Sequence, residues 1–281
     1  MLSKEQVAQF QQDGFLLGPK VLSDEQVEVL RLELSRVLEN RDNPNVPQPV
    51  RISNMNRSET PVWQVVNIWQ GSDKFRELLS HPAITQEVAQ LSGAKELRVW
   101  HDQIQYKPAG DGGINNWHQD WPYWPNIAPM TEQVTAWVAL DDVDETNGCM
   151  SMVPGSHKWG NAIKFVHTVQ DFKTMAGREY EGHKIEVRFA RVKKGHVHFH
   201  HGLTWHGSHG NSSQRPRRAI AIHYMTEKVC YVNAHHKGHP MQPLIEVPEN
   251  TQLRGDYFPL TWNGAPVPVK PVGQRQFATA K

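Results

Sequence analysis

Between about residue 97 and residue 225 the chain is a succession of short runs rich in β-branched and aromatic residues, broken by turn signals, with no helical pattern between them. Leu97 to Lys107, Gln133 to Asp141, Gly148 to Val153, Ile185 to Arg191, His196 to Phe199 and Arg217 to Met225 each read as a strand. Pro108 to Gly113, Pro154-Gly155-Ser156 and Asn211-Ser212-Ser213 supply the turns. Strands that follow one another without intervening helices pair antiparallel, so the pattern predicts a sandwich or barrel rather than a parallel α/β sheet.

The first 96 residues read differently. Ser3 caps a helix over about 4–12 that Asp13-Gly14 ends, and Ser23 caps a second that runs to about Asn40. Val27, Leu30, Leu34, Val37 and Leu38 in that second helix fall at helical spacing, which gives it one buried face. Two more helices are expected near 72–80 and 82–92, with Pro82 in the first turn of the latter. Residues 41–61 hold four prolines and read as an irregular segment, a linker or a lid in which Arg51 and Asn54 are candidate substrate contacts. The tail from 226 to 281 is Pro-rich and irregular. A single domain over 1–281 is expected, with 1–96 mainly helical, 97–225 the β core and 226–281 the tail.

A formal net charge of +1 gives no basic field, so neither nucleic acid nor a membrane surface is an expected partner. Two cysteines, Cys149 and Cys230, are too few for a disulfide framework or a thiolate zinc site. The N-terminal residues lack the apolar core of a signal peptide, and no run of about 18 apolar residues occurs, so a cytoplasmic protein is expected. Sixteen histidines and ten tryptophans in a chain that is 38% hydrophobic must line a pocket or pack as half-polar core. The expected partner is a small molecule, and the sequence leaves the oligomeric state open.

Within the turn-and-strand region, His118-Gln119-Asp120 sets an imidazole and a carboxylate two residues apart. On a strand both would project from one face and could share a metal ion. A chain this rich in histidine shows such a pair roughly once by chance, and taken alone the pair reads as a hydrogen-bonded surface pair before it reads as a metal site. With a second, distant histidine it becomes the two-histidine, one-carboxylate site of non-haem iron oxygenases. His196, His198, His200, His201, His206 and His209 are all available. Trp121, Tyr123 and Trp124 follow the pair and read as packing or as a substrate wall. Strand parity sends Arg217 and Arg218 to opposite faces, so only one can point inward, and the small Ala219 and Ala221 share the face of Arg217.

Taken together, His118-Gln119-Asp120, the run Asn147-Gly148-Cys149 to Pro154-Gly155-Ser156-His157, and His206-Gly207-Ser208 with Asn211 five residues on resemble the phytanoyl-CoA dioxygenase family of Fe(II)- and 2-oxoglutarate-dependent oxygenases. Arg217, eleven residues past His206, fits the same pattern, and the resemblance spans most of residues 1–225. It implies a double-stranded β-helix (jelly-roll, cupin-like) core with flanking helices. It also implies His118, Asp120 and His206 as iron ligands, and Arg217 as the partner of the distal carboxylate of 2-oxoglutarate, which a planar guanidinium can grip with two parallel bonds. Further contacts to that cosubstrate fall at Gln103, Trp137 and Ser208, although Gln103 departs from the methionine of some members. Lys107 matches a lysine of the family to which no role is attached here.

The reaction implied is hydroxylation of an unactivated carbon, with dioxygen consumed and succinate and CO2 released. Related halogenases carry Gly or Ala where Asp120 stands, so its carboxylate argues against chlorination. Two other readings use the same residues: a divalent-metal hydrolase or isomerase on a cupin-like core, and a sensor that binds metal and 2-oxo acid without turnover. A compact polar or aromatic metabolite is the expected substrate.

Overall fold

A computed structural model of the chain describes residues 1–55, 61–110, 112–234 and 238–273. It begins with helix α1 (Lys4–Asp13), strand β1 (Phe15–Lys20), helix α2 (Asp24–Glu39), strands β2 (Arg51–Asn54) and β3 (Trp63–Val66), and helices α3 (Asp73–Leu78) and α4 (Pro82–Ser92). There follow β4 (Glu96–Lys107), β5 (Asn115–His118), β6 (Ile127–Ala128), β7 (Gln133–Ala139), β8 (Met150–Met152), β9 (Glu179–Tyr180) and β10 (His183–Lys184). The remaining strands are β11 (Arg188–Ala190), β12 (His196–His201), β13 (His206–Ser208), β14 (Arg217–Thr226), β15 (Cys230–Tyr231) and β16 (Leu260–Asn263).

Both long N-terminal helices open on a reciprocal cap. Ser3 and Ser23 accept the N–H groups of Gln6 and Gln26, whose side chains return to the cap residues' own N–H. The strands form a large antiparallel sheet in the order β1-β12-β7-β14-β4-β3-β2, with β16 added on β4, and a small one in the order β11-β8-β13-β5. Face to face, these make the jelly roll.

Strand alternation decides what each face of the large sheet meets. On β7 and β14, Val134, Ala136, Val138, Ile220, Ile222 and Tyr224 join the helices in one core, which contains Leu30 and Leu34 of α2 and Ile84 and Val88 of α4. Each branched side chain buried there contributes about 1.5–3 kcal/mol. The opposite face carries Trp137, Ala139, Ala219 and Ala221, packed on Met150 and Met152 of the small sheet. Small alanines between two bulky layers leave room for the polar side chains of the site.

Four features depart from the sequence expectations. Phe15–Lys20, which carries no clear alternation, is the edge strand β1. The segment 41–61 contains strand β2, paired with β3 on the large sheet, so this part is sheet rather than irregular lid; its residues 56–60 lie outside the described residues. The tail contributes β16 and packs Leu253, Tyr257 and Phe258 into a core of its own with Trp100 and Trp124. Finally, Asp120 is not on a strand: β5 ends at His118, and Asp120 takes helical dihedrals at the head of a 3-10 turn, Trp121–Tyr123. Gln119 enforces that exit, since its side-chain amide donates to Gly160 O and Leu203 O and its carbonyl accepts from Ala162 N. Among the described residues no helix is long and apolar enough to cross a membrane.

Asp102 of β4 points to the helical side, where it is fully buried and accepts from the Ile68 N–H at 2.8 Å. Its second oxygen has no partner among the described residues. Burial pushes this carboxyl up to about 8, against ~3.9 for an aspartate in an unfolded chain. The native state therefore holds the proton more tightly, and stability falls as pH rises from the unfolded value through about 8. Asp102→Asn keeps the acceptor and removes the charge. Its thermal midpoint should exceed that of the parent at pH 9, by roughly 2–4 °C for each kcal/mol regained, and the gap should close towards pH 5. Parallel melting curves across that range would show that Asp102 does not titrate in the window.

Candidate metal centre

Strand β13 pairs antiparallel with β5 so that His206 stands opposite His118. Their rings lie 4.1 Å apart between centroids. Asp120, carried past the end of β5 by the turn, brings Oδ1 to 3.6 Å from Nε2 of His118 and to 3.6 Å from Nε2 of His206. One ligand atom from each of the three residues lies within 4.8 Å of the others, the one such group among the described residues.

The tautomers follow from the backbone. Nδ1 of His118 sits 2.7 Å from Asn116 O, and Nδ1 of His206 sits 2.9 Å from Thr204 O. A carbonyl can only accept, so each Nδ1 carries the hydrogen and each Nε2 lone pair turns toward Asp120. Burial pushes both imidazoles down to about 4, which keeps them neutral and able to ligate at neutral pH. Burial by itself would raise the Asp120 carboxyl, but the His206, His200 and His223 rings outweigh it and hold the group well below the usual carboxylate range.

Oδ2 of Asp120 is taken by His200, which the sequence offered as an alternative ligand, and by Thr135, for which it carried no functional reading. His200 Nε2 is 3.2 Å away, and the Thr135 hydroxyl donates at 3.3 Å. Thr135 in turn lies 2.7 Å from His223 Nδ1, which completes the relay His223 to Thr135 to Asp120. The signal for His200 was present in the alternation His196-Val197-His198-Phe199-His200, which puts a histidine at every second residue and so all three on one face. An anionic Oδ1 and two imidazole nitrogens aimed at one point, with the remaining atoms of all three groups already bonded, fit a divalent metal ion.

Beside the triad, Arg217 of β14 is fully buried. It donates to Gly148 O at 3.2 Å and to Ser208 Oγ at 3.0 Å, and its Cζ stands 5.5 Å from the centre of the Trp137 ring. Burial pulls its pKa down to about 10. The Trp137 indole N–H is buried without a partner. Gln103, Trp137 and Ser208 line one cleft together with the triad, and Gln103 accepts from the Gln64 side chain. Arg217 reaches that cleft through Ser208 and Trp137, which line it, and a buried cation behind an orphaned donor is a setting for a carboxylate. Arg218 takes the other face, as its parity requires, and binds Asp141 through two nitrogens.

The cleft shares Gln103, Gln105, Asn115, His118 and Asp120 with a larger cavity of about 620 Å³. Tyr123, Trp124 and Arg51 line that cavity. Trp121 and Asn54 do not: the Trp121 indole donates to Ile127 O, and Asn54 accepts from Val62 N to close the β2–β3 hairpin. Arg51 donates to Gln64 at 3.1 Å, and the Tyr123 hydroxyl meets His167 Nε2 at 2.9 Å. Asp120 is the one carboxylate and Arg51 the one Lys or Arg among the described lining residues.

Comparison with known proteins gives four consistent findings. Residues 10–219 match the family model described as phytanoyl-CoA dioxygenase. The peroxisomal phytanoyl-CoA dioxygenase of Bos taurus is 28% identical over 251 residues, covering 83% of this chain and 71% of that protein. An ectoine dioxygenase of Bordetella bronchiseptica is 27% identical over 241 residues, covering 79% and 75%. Among solved structures, the non-haem α-ketoglutarate-dependent carbocyclase SnoK of nogalamycin biosynthesis superposes with a TM-score of 0.73 at 29% identity, over 92% of this chain and 96% of that one.

Gly207 lies between His206 and Ser208, where a Cβ would stand 2.6 Å from Phe172 Cε2, 2.9 Å from Asn115 O and 3.1 Å from Trp117 N. Two of those atoms are backbone of β5 or its start and cannot yield. Gly207→Ala should therefore cost about 1–3 kcal/mol by overpacking and part the strands that carry the two histidines. Denaturant unfolding measures this, and an unchanged midpoint would contradict the tight β5–β13 contact.

Proposed function

The chain belongs to the phytanoyl-CoA dioxygenase family of iron- and 2-oxoglutarate-dependent oxygenases, and from that premise we propose that it hydroxylates an unactivated carbon of a small organic molecule, with His118, Asp120 and His206 as the iron ligands. The observation that carries the assignment of ligands is the convergence of their three donor atoms within 4.8 Å, with both Nδ1 atoms committed to backbone carbonyls. Iron bound there supplies, with dioxygen and 2-oxoglutarate, the oxidation that converts the 2-oxo acid to succinate and CO2 and delivers an oxygen atom to carbon.

The rest is the work of the protein. Arg217 and the Ser208 hydroxyl receive the distal carboxylate, and Trp137 and Gln103 line its path to the metal. A guanidinium buried without a carboxylate partner among the described residues is costly unless a ligand completes it, and it serves no purpose in a hydrolase or isomerase built on the same three ligands. His200, Thr135 and His223 keep Oδ2 of Asp120 occupied, so that Oδ1 alone faces the two histidines.

The substrate sits in the cavity of about 620 Å³, in the middle of the range for drug-sized ligands and larger than a compact metabolite needs. Tyr123 and Trp124 offer ring faces. Gln64, Gln105, Asn115, Asn116 and Gln170 offer amides that both donate and accept, which suits hydroxyls and carbonyls on a ring-bearing molecule. Arg51 at the cavity wall suits an acidic group, and with Asp120 spent on the metal no carboxylate among the described lining residues is left to bind an amine. The family likeness to a carbocyclase is the observation that keeps ring closure, rather than hydroxyl transfer, as a second outcome of the same oxidation.

Succinate release above the uncoupled background, across a panel of ring-bearing substrates, tests this reading. It should require Fe(II) and should vanish in the Asp120→Ala, His206→Ala double variant, whose full turnover would overturn the assignment. Arg217→Met should weaken 2-oxoglutarate by roughly 30-fold or more, the equivalent of ~2 kcal/mol, while leaving divalent-metal binding intact by calorimetry.

A further inference from the structure

Strands β4, β3 and β2 lie side by side at one end of the large sheet. Their residues Gln103, Gln64 and Arg51 all line the cavity of about 620 Å³, and register places them on one face of the sheet. Arg51 donates to the Gln64 side-chain oxygen at 3.1 Å, and the Gln64 amide nitrogen donates to the Gln103 oxygen. A guanidinium has only hydrogens to offer, so Arg51 sets the direction of both amides, and the row in turn holds Arg51 against the wall. One of its N–H groups is spent on this anchor. The others have no partner among the described residues, and no carboxylate there compensates the charge.

Arg51 stands at the open side of the cavity, exposed on its outer edge. The part withdrawn from water holds its guanidinium below the ordinary value, and a charge-assisted bond made there is screened less than one in open solvent. The other exposed side chains of the opening include Met55, Ile114 and Tyr123. They come from three separate segments, just after β2, just before β5 and in the turn that follows Asp120. A single exposed apolar side chain is ordinary, but three around one opening make a contact surface for an apolar body.

The charge count then limits what that body carries. Arg51 is the one Lys or Arg among the described lining residues. Its planar fork can balance one carboxylate through two parallel bonds. It cannot balance the several phosphate groups of a CoA thioester, whose charge calls for a cluster of cations. We infer that the substrate is a free, ring-bearing carboxylic acid rather than a CoA thioester, and that Arg51, anchored by Gln64, is the residue that selects its acid group while Met55, Ile114 and Tyr123 meet its apolar body. This rests on the reading that the cavity beside the triad is the substrate's. An arginine that merely tied β2 to β3 would support the fold without distinguishing an acid from its amide.

Calorimetry of the Mn(II)-loaded protein, saturated with 2-oxoglutarate so that Arg217 is already engaged, separates the two roles. The probes are benzoate, cinnamate and naphthoate, each set beside its primary amide and its CoA thioester. At least one acid should bind roughly tenfold or more tightly than its amide, the scale of one charge-assisted hydrogen bond, and no CoA thioester should bind more tightly than the matching amide. Arg51→Gln should bring that acid within about twofold of its amide and leave the affinities for the amide and for 2-oxoglutarate as in the parent. Gln64→Leu frees the guanidinium from its anchor without removing its charge; it should narrow the same gap severalfold, and it serves should Arg51→Gln not fold. No acid preference in the parent, a preference unchanged in either variant, or tightest binding by a CoA thioester overturns the inference and leaves the oxygenase reading standing. Failure of the parent to bind 2-oxoglutarate strikes that reading instead, and the inference falls with it.

Discussion

The antiparallel pairing of β13 with β5 is the interaction on which the centre depends. It places His206 across from His118, and every other feature of the triad is referred to that pair. Backbone carbonyls two residues upstream of each histidine fix its tautomer, so the two strands set both the position and the direction of the ligand lone pairs. A one-residue slip would turn one imidazole to the opposite face of the sheet. Gly207, squeezed between Phe172 and the backbone of the neighbouring strand, shows how little slack the pairing has.

Charge in the sandwich is distributed unevenly, and the unevenness makes chemical sense. Asp120 is surrounded by His200, Thr135 and His223, so its second oxygen is compensated within the protein. Among the described residues Arg217 and Lys107 have only neutral acceptors. Stability alone would favour apolar side chains of similar volume at those two positions. Keeping a guanidinium in a dry place costs folding energy, which on the proposed function the carboxylate of a bound 2-oxo acid would return.

Much of the fold was legible because the signals were local. The serine caps, the helical stripe of α2 and the alternation in β4, β7 and β14 each span a few residues and read correctly. The edge strand β1 escaped because one of its faces is largely exposed and Gly18-Pro19 breaks its pattern. Strand β2 was hidden among prolines and asparagines, and β16 in a tail whose packing on Trp100 and Trp124 is entirely long-range. Trp121 and Asn54 show the same limit from the other side: each belongs to a suggestive stretch, and each is spent on a backbone partner rather than on the cavity.

The sequence by itself determined which residues could do the chemistry. Parity puts Arg217 and Arg218 on opposite faces, and the motifs around His118, Asp120, His206 and Arg217 carry the family resemblance that implies a metal site with an anion anchor, because strand periodicity and motif spacing are written in the local order of residues. It could not determine how Asp120 is presented, since the chain leaves the strand one residue before it under the grip of Gln119 on distant carbonyls. Nor could it determine that His200, Thr135 and His223, from three strands adjacent in the large sheet, meet at a single carboxylate oxygen. Those contacts depend on strand order and register, which arise only when residues far apart in the chain pair, and so the tertiary structure alone decided them.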